Sequence, residues 1–178
     1  MTIRFTDEEL KSLYHEFETP QNVIGHCRGV TDCALKIAEE LNKKGKNLDL
    51  DLIYNAGIVH DMARVMDEHW NVAADKLASM GRNAEADIVR VHMKPDYYND
   101  FEALDEKDMV LIGDRLVKES NYVGLDERFD YIIAKARRYG HVDEDRILRN
   151  KAKLKALLQE IESYIGKSID SLFEKKID

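Results

Sequence analysis

The chain of 178 residues is 44% hydrophobic and 35% charged, with a formal net charge of −8. That length suffices for one compact domain burying roughly two thirds of its unfolded surface, and the acidic balance, with a pI near 5.3, excludes the basic footprint by which proteins hold nucleic-acid backbones. No stretch approaches the ~20 apolar residues of a membrane-spanning helix, and Met1 to Leu10 has no apolar run of the kind a secretory signal carries, so a soluble, cytoplasmic protein is expected.

Thr6 followed three residues on by Glu9 is a capping box and predicts a first helix to about Phe17, with Pro20 marking the break before the next. From Asn22 to about Lys44, Val23, Val30, Ala34, Ile37, Ala38 and Leu41 keep helical spacing, Gly45 supplies the stop, and His26 falls on the inward face. Cys27 and Cys33 lie about 240° apart around this helix, so they do not pair, which fits a reducing compartment. Between about Leu50 and Val65, Ile53, Ala56, Gly57, His60 and Arg64 share one stripe, so a core-facing helix is expected to end in ionisable groups. His69 stands about 180° from His60 on an unbroken helix and reaches the same place only if the chain turns, for which Val65 to Glu68 is the predicted point. Further helices are predicted from His69 to Met80 and from about Asn83 to Met93, the latter stacking Ile88 and His92 at i, i+4 and stopped by Pro95. Lys94 to Ala103 reads as a surface loop of the kind that serves as a lid or binding loop. Val110, Asp114 and Val117 line one face of a helix from about Asp105 to Glu119. Phe129, Ile132, Ile133 and Ala136 mark another, and Ile147, Leu154, Leu157, Leu158, Ile161 and Ile165 a long last one in a locally cationic segment that includes Arg146, Lys151 and Lys153. With no alternating strand pattern and no repeat, the expected fold class is all-α, a single domain over residues 1–178 with residues 142–178 as a C-terminal helical extension.

A lone histidine on an apolar face is usually a satisfied core residue. His26, His60 and Asp114 on three separate inward faces are harder to dismiss, because an unpaired aspartate facing a core is costly unless something compensates it. A divalent metal does so. Two imidazoles and two carboxylates, counting Asp61 beside His60, suit Fe, Mn, Co, Ni or Zn and leave positions open for water or substrate on a six-coordinate ion. Arg64, at i+4 from His60, can aim its forked guanidinium at a bound phosphate, the alternative being a surface ion pair with Asp67 or Glu68. Arg115 and Lys118 are weaker anion-binding candidates. His15 and His141 are expected to be exposed, and Trp70 to pack.

The order His26, then His60-Asp61, then Asp114 resembles the signature of the HD-domain metal-dependent phosphohydrolases, over about Asn22 to Phe129. The resemblance implies a helical bundle with the metal between core helices, His26, His60, Asp61 and Asp114 as ligands, and metal-activated water attacking a nucleotide or another small phosphate ester or anhydride. His69 and His92 resemble the second-site ligands of the binuclear branch, which includes HD-type symmetrical diadenosine tetraphosphatases, with Asp61 bridging the ions. The segment from His26-Cys-Arg-Gly-Val30 through Leu125-Asp-Glu-Arg-Phe129 looks closer to the small HD domains that some bacteria fuse to a molybdenum-cofactor-type nucleotidyltransferase. Arg64 stands where the family often has a lysine. Two alternatives stay open: an HD-type diiron oxygenase, and a non-catalytic regulatory module that keeps metal as a structural centre. The expected partner is a small phosphorylated substrate, with no nucleic acid and no membrane; a homodimer is left open.

Overall fold

The capping box forms as the sequence predicts: Thr6 Oγ1 accepts from the Glu9 amide at 3.2 Å, the Thr6 amide donates to Glu9 Oε2 at 2.7 Å, and helix α1 (Asp7–Glu16) follows. A computed structural model describes residues 2–94, 98–140 and 143–173, so Pro95 and His141, to which the sequence assigns a helix stop and an exposed imidazole, lie outside the described residues. Among them the chain is helical, with α2 (Gln21–Lys43), α3 (Leu50–Val59), α4 (His69–Ser79), α5 (Asn83–Val91), α6 (Glu106–Leu116), α7 (Gly124–Tyr139) and α8 (Glu144–Ile165) after α1. The fold class is all-α. No helix among the described residues is long and apolar enough to cross a membrane.

Helix α3 is apolar nearly all round, as a helix buried on every side must be. Its Ile53 and Ala56 join a core built with α2, α6 and α8, while Ile58 and Val59 join a second core with α1, α4 and α5. Its one buried amide, Asn55, is satisfied: Oδ1 accepts from the Phe5 amide at 3.0 Å, and Nδ2 donates to the Ile3 carbonyl at 2.9 Å and to Glu85 at 3.0 Å. Two glycines set how closely α2 is flanked. A Cβ at Gly57 of α3 would stand 2.8 Å from Thr31 Oγ1, and one at Gly113 of α6 would stand 2.7 Å from the Val30 carbonyl oxygen. Without side chains at these positions, α3 and α6 press against α2 on either side of Val30 and Thr31.

Three local expectations are corrected. The helix predicted to run to Val65 stops at Val59, because the backbone tightens into i to i+3 bonds from Met62 to Val59, Arg64 to Asp61 and Met66 to Ala63. The turn therefore spans His60 to Glu68, longer than the Val65 to Glu68 expected, and closes with Glu68 in the left-handed region at φ 49°. The helix predicted to reach Glu119 ends at Leu116, and Val117–Lys118 (β1) pairs antiparallel with Asn121–Tyr122 (β2). A ladder of two residues per strand is too short to leave an alternating pattern in a sequence. Finally, the segment read as a surface loop before α6 buries Tyr98 in the first core, with its carbonyl accepting from Lys153 Nζ at 3.1 Å; Phe101–Ala103 form a 3₁₀ turn. The ring's apolar area outweighs the polar composition around it.

Candidate metal centre

Five elements deliver the six candidate ligands to one place. His26 comes from α2, His60 caps the end of α3 with Asp61 beside it, His69 opens α4, His92 caps α5, and Asp114 lies in the last turn of α6. Only the early end of α3 makes this possible, since the tight turn after Val59 reverses the chain and brings His69 back to Asp61.

The ligand atoms fall into two groups. His26, His60 and Asp114 offer atoms all within 4.8 Å of one another, and so do Asp61, His69 and His92. Asp61 stands between the groups: Oδ1 lies 3.1 Å from His69 Nε2 and 3.2 Å from His92 Nε2, while Oδ2 is 4.0 Å from His60 Nε2. The sequence expectation put Asp61 with His26, His60 and Asp114 and also as the bridge to His69 and His92; its nearer contacts are to the latter two imidazoles, and its second oxygen lies 4.0 Å from His60.

Three of the imidazoles are oriented by backbone carbonyls. Nδ1–H of His26 donates to Glu119 at 2.8 Å, that of His60 to Gly57 at 2.8 Å, and that of His92 to Val89 at 2.7 Å. A carbonyl can only accept, so each ring carries a proton on Nδ1 and, when neutral, turns a lone pair on Nε2 toward the centre. His26 owes its anchor to the small hairpin, whose turn residue Glu119 has φ 54°.

The consequence is a clash of acceptors. His26 Nε2 is 3.1 Å from Asp114 Oδ1, and His92 Nε2 is 3.2 Å from Asp61 Oδ1. Two lone pairs at that distance need a cation or an extra proton between them. His60 Nε2 is buried with no hydrogen-bond partner, a position that costs about 1–3 kcal/mol unless a ligand fills it. Burial, opposed by the charge of Asp61, pulls the His60 pKa down to about 4, so a proton does not fill it near neutrality. Neutral imidazoles and ionised carboxylates are what a borderline divalent ion requires, and each group has three protein donors with positions left over. The residues present therefore fit a metal.

The carboxylates are held ionised. Burial works against the charge of Asp61, but its close contacts with the His69 and His92 imidazoles outweigh it and keep its pKa far below the usual range. Asp114 is likewise buried, and the Arg115 guanidinium, paired with Oδ2, does most to hold its pKa low. Burial alone would discharge His26, yet the hydrogen bond and charge of Asp114 raise its pKa above the ordinary imidazole value.

Both groups lie at the floor of a cavity of about 780 Å³ into which His26, Asp61, His92 and Asp114 open. Four arginines line it, Arg64, Arg115, Arg128 and Arg146, and the first three reach the ligand groups. Arg64, more than a third exposed, points Nη1 to His69 Nε2 at 3.1 Å and to Asp61 Oδ1 at 3.4 Å, rather than to Asp67 or Glu68. Arg115 also lines the cavity but is committed to Asp114. Lys118, the third candidate from the sequence, is not on the cavity wall: its ammonium pairs with Glu127 at 3.2 Å and lies over the Tyr131 ring. Arg128 takes that place instead, donating from Nε to the Asp114 carbonyl at 3.1 Å and from Nη2 to Asp114 Oδ1 at 3.4 Å. Sequence reasoning missed it. The available signal was its position just before Phe129, the first residue of the α7 stripe. His15 is exposed and Trp70 packs edge-on to His69, as expected.

The HD domain family model matches residues 23–172 and so extends through α8. The chain is 33% identical over 64 residues to the uncharacterized protein MJ0778 of Methanocaldococcus jannaschii, covering 34% of this chain and 38% of that protein, so it spans well under half the length of the curated relative it matches. No solved structure gives a significant match. With the model covering most of the sequence, and the paired His and Asp groups lying inside the matched span, the chain belongs to the HD domain family.

Proposed function

We propose that this protein is a metal-dependent phosphohydrolase acting on a small organic phosphate, with nucleotides the foremost candidates. The observation that carries the reading is the pairing of acceptor against acceptor at His92–Asp61 and His26–Asp114, beside the unpartnered His60 Nε2, on the floor of a cavity ringed by arginines. His26, His60 and Asp114 would hold one divalent ion and His69, His92 and Asp61 a second, with Asp61 shared. Fe, Mn, Co, Ni and Zn all suit this donor set. Ions bound there supply Lewis acidity and make water a competent nucleophile at neutral pH.

The chain's own residues do the rest. The backbone carbonyls of Glu119, Gly57 and Val89 fix the tautomers and ring planes, so no reorganisation is needed when charge develops. Arg64, beside Asp61 and His69, and Arg128, beside Asp114, offer guanidinium donors along the cavity, where they can neutralise phosphoryl oxygens. Beyond them, Ile132 of α7 and Ile147 of α8 give the cavity an apolar wall against which the organic part of the ester can lie.

The test is metal analysis of protein purified without chelator, followed by assays of phosphomonoesters, phosphodiesters and nucleotides with and without oxygen. Metal-dependent phosphate release indifferent to oxygen is expected. Oxygen uptake with an organic substrate and no phosphate release would replace this reading with the oxygenase alternative, and bound metal without any turnover would favour the regulatory one.

A further inference from the structure

The two ligand groups differ in how their lone pairs are engaged. In the group of His26, His60 and Asp114, Arg115 takes Asp114 Oδ2 and Arg128 reaches Oδ1 at 3.4 Å, but neither arginine is bonded to an imidazole nitrogen, and His60 Nε2 has no partner. In the other group a guanidinium sits on the donor atoms themselves. Arg64 Nη1 is 3.1 Å from His69 Nε2 and 3.4 Å from Asp61 Oδ1, the oxygen that also faces His92. A guanidinium has no acceptor, so the His69 Nε2 lone pair points at Arg64. Any cation held by Asp61, His69 and His92 must use those same lone pairs, and two positive groups cannot share them.

Arg64 is free to leave. It lies in the turn after α3, its side chain is 37% exposed, and its remaining contact is a long one of 4.0 Å to Met93 Sδ. It also lines the cavity, so the space it would move into is the space a phosphate would enter.

We infer that Arg64 is a displaceable internal cation of the second metal group: it occupies Asp61 and His69 when that ion is absent and swings into the cavity when the ion enters. Loading of the second ion and presentation of a free guanidinium to the substrate are then one event. The second ion also binds more weakly than its ligand set alone would allow. This inference rests on the reading that Asp61, His69 and His92 hold an ion.

The experiment is calorimetric titration of the metal-stripped full chain with Mn²⁺, comparing wild type with Arg64→Ala, Arg64→Lys and His69→Ala. Two binding events are expected in the wild type, the weaker one tightened about tenfold in Arg64→Ala, as loss of a competing charge-assisted contact allows, with the stronger one unchanged. Arg64→Lys, which keeps a cation, should stay close to wild type. A single wild-type event that becomes two in Arg64→Ala also supports the inference. An unchanged or weaker second event in Arg64→Ala, with that event lost in His69→Ala, overturns the competition while leaving the second site in place. Two events that both survive His69→Ala, or one event in wild type and Arg64→Ala alike, overturn the second-site reading itself and the inference with it.

Discussion

His92 Nε2 lies 3.2 Å from Asp61 Oδ1 while the other nitrogen of the same ring donates to the Val89 carbonyl at 2.7 Å. The carbonyl fixes the tautomer, so the short approach is between two acceptors, and the local geometry is set for a cation before any ion arrives. The same Oδ1 lies 3.1 Å from His69 Nε2, and Oδ2 is 4.0 Å from His60 Nε2, so this carboxylate has neighbours in both groups.

Asp61→Asn keeps the shape of the side chain and removes its charge. Metal analysis should find less than the wild-type content, and hydrolysis should fall by about a thousandfold, the scale of about 4 kcal/mol seen when one centre of charge stabilisation is removed. Wild-type metal content with wild-type turnover would falsify the shared role.

The pH dependence of the metal-free protein should carry the mark of His60. Its folded pKa, about 4, is depressed from 6.5, so the stability of the neutral ring is fully present above pH 6.5 and is lost as pH falls through 4. The shift corresponds to about 3 kcal/mol for this fully buried ring. Chemical denaturation at a series of pH values should show that loss in the wild type and a flatter profile in His60→Gln. Saturating metal should raise the thermal midpoint of the wild type, by mass action on the folded state. Identical profiles for the two proteins would remove His60 as the cause.

Gly113→Ala places a methyl group 2.7 Å from the Val30 carbonyl oxygen, a backbone atom that cannot move alone. Forcing α6 away from α2 should cost about 1–3 kcal/mol of stability. It should also weaken ion binding by His26, His60 and Asp114, because His26 and Asp114 sit on the two helices being separated. Unfolding curves and a metal titration check both effects together; a destabilised protein with unchanged metal affinity would break the link between close packing and the site.

Arg128 and Lys118 make a contrasting pair. Arg128 lines the cavity and touches Asp114, whereas Lys118 is paired with Glu127 away from it. Arg128→Ala should lower kcat/KM for a phosphate substrate about 10- to 100-fold, worth about 1.4–2.7 kcal/mol. Lys118→Ala should change it by less than about twofold, as expected for an exposed ion pair. Equal losses in the two variants would mean that the cavity wall has been wrongly drawn.

The residue types, their order and the helical stripes were legible along the chain. Thr6 with Glu9 announced α1, apolar spacing placed His26 and Asp114 on inward faces, and a histidine-aspartate pair at the end of an apolar helix marked His60 and Asp61. These are local signals, set by capping and by a period of 3.6 residues. What the sequence could not supply was anything that depends on how one element meets another. The bonds that orient His60 on Gly57 and His92 on Val89 are local, three residues apart, but the ring of His26 is set by the carbonyl of Glu119, 93 residues away in sequence, and that anchor exists only where α2 meets the small hairpin. The division of six ligands into two groups, the choice of Arg128 over Lys118, and the seat of Arg64 on His69 are likewise outcomes of packing. Periodicity fixes the face on which a side chain lies. Distances of a few ångströms between faces come from tertiary contacts such as Gly57 on Thr31 and Gly113 on Val30, and those alone bring the charges of this site into reach of one another.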